Sequence, residues 1–66
     1  MDVAHLAELL RETAEHHDHF EQVAPEHDWW DWYAPYMDAR ERGSTPEEAS
    51  DAAGRYMAEV RHVRAP

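Results

Sequence analysis

The 66-residue chain contains no cysteine and no lysine. Without thiols there is no disulfide and no thiolate metal site, and the redox compartment is left open. No apolar run approaches the roughly 18 residues that a membrane-spanning helix needs. No signal-peptide pattern opens the chain, so the cytoplasm is the expected location. β-Branched residues are few and no apolar–polar alternation persists, which removes strand signals. The two glycines, Gly43 and Gly54, build no phosphate-cradling loop. Ser44 and Ser50 lack a nucleophile motif, and no HExxH string is present. Carboxylates are plentiful but spaced as solvated helix faces rather than as an acid–base pair in a cleft, so the expectation is a protein that is not an enzyme.

The charge that is present is one-sided. The net charge is −9, and residues 1–38 carry all of it, with ten acids against Arg11 alone. Residues 39–66 balance five acids with five arginines. Five of the six histidines lie within the first 27 residues. Direct nucleic-acid binding requires clustered basic side chains, and this field has the opposite sign. Cations, basic proteins and cationic small molecules are the partners such a surface favours, and an acidic mimic of nucleic acid is a further option.

Caps and periodicity predict an all-α, three-helix bundle in a single domain, with helices over about 2–23, 26–42 and 46–63. Asp2 is placed to cap the first helix, whose apolar arc is Val3, Leu6, Leu9, Leu10, Thr13, Ala14, His17 and Phe20. Pro25 suits the first turn of the second helix, and Asp28 is a competing cap. This helix carries Pro35 on its polar side, where a bend or a break at Ala34 is expected, and Gly43 suits a left-handed end. Thr45-Pro46-Glu47-Glu48 is a capping box with proline at the first helical position. Ala49, Ala52, Ala53, Tyr56, Met57, Val60 and Val63 then share one face, whose alanines leave room for large side chains opposite.

Those large side chains are concentrated in one place. Trp29, Trp30, Trp32, Tyr33 and Tyr36 supply five of the seven aromatic residues in eight positions. At 100° per residue they span about 160° of the second helix. Such an arc supplies most of a small core, yet it is too wide for all of it to be covered. Its edges, Trp30 and Trp32, are the expected contact surface, and self-association as a homodimer is the simplest way to complete so short a chain. Arg40 falls on the same face and is expected to cap the rings by a cation–π contact.

A second constellation has metal-ligand chemistry. Glu12, His16 and His19 lie within about 60° of one another on the first helix, and His27 can return after the following turn. Imidazole with carboxylate suits a divalent transition metal such as Zn, Ni, Cu or Fe. The simpler reading is a solvated helix flank. His17 differs because it sits inside the apolar arc, where a buried neutral imidazole bonded to a tyrosine hydroxyl is expected. Such a residue lowers stability below about pH 6.

The string His27-Asp28-Trp29-Trp30-Asp31-Trp32-Tyr33-Ala34, followed by Ala39-Arg40-Glu41-Arg42-Gly43 and Thr45-Pro46-Glu47-Glu48-Ala49, resembles short actinobacterial helical proteins. Some of these carry a bleomycin-resistance or glyoxalase-like label. The resemblance spans roughly residues 14–58 and implies a helical fold. Glyoxalase-type resistance proteins are built from βαβββ modules, and this chain has no strand signal, so the resemblance assigns no functional residue. The expected function is an association module; the alternatives are a metal-binding protein and a binder of a cationic aromatic molecule or basic protein.

Overall fold

The computed structural model describes residues 2–64. It comprises α1 (Val3–Val23), α2 (Trp29–Glu41) and α3 (Pro46–Glu59), with no strand among the described residues. No helix is long and apolar enough to cross a membrane. Asp2 caps α1 by accepting the His5 amide at 2.9 Å. Ala24, which precedes proline, is extended, as steric conflict with the proline ring demands, and α1 ends there.

The second helix begins at Trp29 rather than at residue 26. His27 Nδ1 donates to the Pro25 carbonyl at 2.8 Å, so that carbonyl is taken by a side chain and the chain stays irregular until Asp28. Asp28 occupies the cap position in an extended conformation without making a side-chain cap bond. α2 then continues unbroken through Pro35. Its end is a complete Schellman closure. Gly43 sits at φ 100°, its amide reaches the Arg40 carbonyl and the Ser44 amide reaches the Ala39 carbonyl, each at 3.0 Å. The capping box at Thr45 and Glu48 starts α3 as expected.

α3 stops at Glu59, four residues short of the expected end. His62 adopts a left-handed conformation at φ 60°, which turns the chain so that the Val63 amide meets the Met57 carbonyl at 2.8 Å. Val63 thereby packs on the core, and Arg61 reaches Asp31 at 3.3 Å.

The core is the Trp32–Tyr36 stack, with ring centroids 5.1 Å apart, set against Ala49, Ala53 and Met57 of α3. The alanines let the α3 backbone approach the rings closely, and α2 with α3 is the most intimately packed pair. α1 adds Leu9, Thr13 and His17. The Thr13 hydroxyl, fully buried, satisfies itself by donating back to the Leu9 carbonyl at 2.6 Å, whereas the buried Trp32 Nε1 finds no partner.

One carboxylate of α1 gathers the shortest polar contacts to α2. Glu12 accepts from the Tyr36 hydroxyl and Arg40 Nε, each at 2.7 Å, and from a second Arg40 nitrogen at 3.2 Å. Arg40 also donates to the Ser44 carbonyl at 2.8 Å. It therefore grips an anion instead of capping aromatic rings. The Arg40 bonds, helped by Tyr36, hold the Glu12 carboxyl below the usual carboxylate range against the opposing effect of burial. Burial, and then donation to Glu12, push the Tyr36 hydroxyl well up.

Candidate functional site

The irregular link of residues 24–28 exists because Pro25 ends α1 and Asp28 opens α2, and it swings His27 back over the last turns of α1. There His27 Nε2 lies 2.9 Å from His17 Nε2. The bond from His27 Nδ1 to the Pro25 carbonyl requires the proton to be on Nδ1, so Nε2 presents a lone pair toward His17. Glu21, one turn beyond His17 on the same face of α1, brings a carboxylate oxygen within 4.8 Å of both ring nitrogens.

Packing fixes both rings. His17 is 4% exposed and lies about 5.5 Å from the centroids of Trp32 and Tyr33, while Phe20 meets His27 edge-on at 5.1 Å. Burial lowers the His17 pKa, the neighbouring His27 lowers it further, and the Glu21 and Asp18 charges work the other way. Burial raises the Tyr33 hydroxyl, and Asp18 and Glu21 add to that rise. The cluster thus opens onto negative charge. Two of its members, His17 and Glu21, line an open groove of about 410 Å³ together with Leu10, Asp18, Trp29 and Tyr33.

The expected site residues separate on this framework. Among the interface candidates, Trp32 is 1% exposed and Tyr36 0%, so both are core. Tyr33 is intermediate, and Trp29 and Trp30 are each 53% exposed, so the free edge is Trp29–Trp30 rather than Trp30 and Trp32. Trp32 lies one turn before Tyr36, and α3 covers that edge of the arc with Ala49, Ala53 and Met57, leaving the opposite edge outside the core. Glu12, His16, His19 and His27 do not form one ligand group among the described residues. Glu12 is consumed by Arg40 and Tyr36, His16 Nδ1 meets Ser50 Oγ at 3.2 Å, and His19 is exposed. Of that set only His27 joins a cluster, and its partners are His17 and Glu21. His17 is the buried histidine expected from the apolar arc, but its bond goes to His27 instead of a tyrosine hydroxyl. Grouping by spacing within one helix missed Glu21. The available signal was His17 and Glu21 four apart, with a histidine just past a helix-ending proline.

A smaller cleft of about 210 Å³ is lined by His5, Glu8, Leu9, Arg11, Glu12 and Arg40, whose charges already neutralise one another in pairs. No protein-family model, curated protein or solved structure matches the chain, and the groove's chemistry rests on its own residues.

Proposed function

We propose that this protein is a non-catalytic helical association module that pairs with a second copy of itself through the Trp29–Trp30 edge. One observation carries the reading: with the core filled by Trp32 and Tyr36, two adjacent indoles remain about half exposed. Leu10, 41% exposed, lines the same groove as Trp29, and Leu6 and Val3 extend its stripe along α1 at helical spacing. A whole indole buries roughly 150–250 Å², and with about half of each still exposed the pair offers roughly that much together; the exposed parts of the leucines and valine bring the face to about 400–500 Å² per copy. Two such faces approach 1,000 Å², about the smallest area that supports a specific contact, and apolar patches of this size are often functional.

Sedimentation across a concentration series tests it. A monomer–dimer equilibrium is expected, and Trp30→Glu is expected to abolish it without loss of helix. The dimer should strengthen as salt is added, because two copies each carrying −9 repel and salt screens that repulsion. A chain that remains monomeric at every concentration overturns the reading, and so does association that weakens with salt, the behaviour of a basic partner.

A second reading has its own observation. The groove places Trp29 and Tyr33 beside Asp18 and Glu21, a combination suited to a cationic planar molecule. Quenching of a cationic dye by the protein, lost in Asp18→Asn with Glu21→Gln, is the result that favours it; indifference to both substitutions removes it.

A further inference from the structure

We infer that His17, Glu21 and His27 form a binding site for a single divalent transition-metal ion, independent of how copies of the chain associate. Three features converge. The two Nε2 atoms face each other at 2.9 Å, and a Glu21 oxygen completes a group within 4.8 Å. Tetrahedral bonds of about 2.0–2.1 Å to zinc place two ligand nitrogens roughly 3.3 Å apart, so the rings need to part by only a few tenths of an ångström.

The second feature is the outer contact of His27. A metal-bound imidazole characteristically donates its other N–H to a carbonyl or carboxylate, which fixes the tautomer and aims the ring. The bond from His27 Nδ1 to the Pro25 carbonyl is such a contact, and it is built by the same link that returns His27 to α1. The proton ledger balances. His27 keeps its proton on Nδ1, so the contact between the two Nε2 atoms is bridged by the proton of His17. A cation takes that proton's place, and His17 carries its own on Nδ1.

Third, the site is preorganised and sits in a favourable field. Trp32, Tyr33 and Phe20 hold the two rings, so little side-chain freedom is lost on binding. Asp18 lies beside the cluster on the groove wall. Two imidazoles and one carboxylate suit zinc and its first-row neighbours better than Mg²⁺ or Ca²⁺, which prefer all-oxygen shells. Three protein ligands leave a fourth tetrahedral position to water or a small anion.

The test is calorimetric titration of untagged, chelator-stripped protein with ZnCl₂ at physiological salt and in excess Mg²⁺. Saturable binding of one Zn²⁺ per chain is expected, with Glu21→Gln and His27→Ala each weakening it tenfold or more. His19→Ala, an exposed histidine on the same helix, should leave it unchanged. Glu21 is exposed, so its replacement spares the fold and keeps the result readable if His27→Ala unfolds. Co²⁺ in place of Zn²⁺ should give the intense visible bands of a four-coordinate ion, absent in Glu21→Gln. Diffuse binding abolished by Mg²⁺, half an ion per chain, or affinity indifferent to Glu21 and His27 would overturn the inference. Stoichiometry per chain is read equally on monomer and dimer, so failure of self-association leaves this test intact.

Discussion

Replacing Glu12 by alanine removes the acceptor on which Tyr36 and Arg40 converge, and the two losses differ in kind. Tyr36 is 0% exposed, so its hydroxyl would be left without its acceptor inside the protein, at a cost of about 1–3 kcal/mol. Arg40 has a side chain 30% exposed and retains the Ser44 carbonyl, so its loss stays near the roughly 1 kcal/mol of a favourable surface pair. Together these give about 2–4 kcal/mol, set against a total stability of about 3–10 kcal/mol for a chain this size. At about 4–8 °C per kcal/mol the melting temperature should fall by at least roughly 8 °C. Thermal and urea unfolding followed by circular dichroism measures the change. Glu15→Ala is the control, because Glu15 meets Arg11 at 2.6 Å but is 64% exposed, and its loss should scarcely move the midpoint. Tyr36→Phe deletes the stranded hydroxyl itself, so a double-mutant cycle with Glu12→Ala should show coupling of about 1–2 kcal/mol. If Glu12→Ala costs no more than Glu15→Ala, or if the cycle shows no coupling, the carboxylate does not secure α1 and apolar burial alone docks it.

Acid should destabilise the chelated, metal-free protein in two stages. Burial holds His17 below its ordinary pKa of 6.5, so the unfolded chain takes up that proton first; the His17 contribution is complete above pH 6.5 and declines as pH falls. Glu12, held below 4.5 chiefly by Arg40, contributes above that value, and its share is lost as pH drops through its lowered folded-state pKa. Urea midpoints that stay flat from pH 7.5 to pH 5 would refute the His17 stage. Gly43→Ala should cost about 1 kcal/mol in urea titration, wholly from its φ of 100°, because nothing lies within 4 Å of the added carbon. An unchanged midpoint would show that the Schellman closure relaxes. Ala53→Leu forces four-carbon bulk against the Trp32–Tyr36 stack and should destabilise by about 1–3 kcal/mol in the same assay; a stabilised variant would mean the interface holds space.

Features governed by near neighbours in sequence were the legible ones. Thr45, Pro46 and Glu48 start α3 through contacts within a single turn, and Gly43 ends α2 in the same way. The alanine face of α3 and the aromatic face of α2 announced each other by size. Other outcomes hinge on how helices lie against one another. Periodicity gathers all five rings on one arc, but only the position of α3 decides that Trp32 is central while Trp29 and Trp30 are peripheral. The role of Arg40 depended on Glu12, 28 residues away, reaching it across the α1–α2 contact. Pro25 and Asp28 both offered a start for α2, and the choice is made by the His27 ring capturing the Pro25 carbonyl. That same contact assembles the His17–Glu21–His27 cluster, which no single-helix spacing describes.

The unequal packing of the helices sets an order of opening. α2 and α3 form a hairpin closed by a Schellman turn and a capping box, whereas α1 leans on it through Glu12, His16, His17 and a few apolar contacts. Sub-global fluctuation should therefore release α1 first, and its amide protons should exchange with solvent faster than those around Ala53 and Met57. Such an excursion parts His17 from His27 and bares Trp32, the residue on which the core is centred. An ion held between the two imidazoles would act as a latch on that hinge, slowing exchange along α1 while leaving the α2–α3 hairpin as it was.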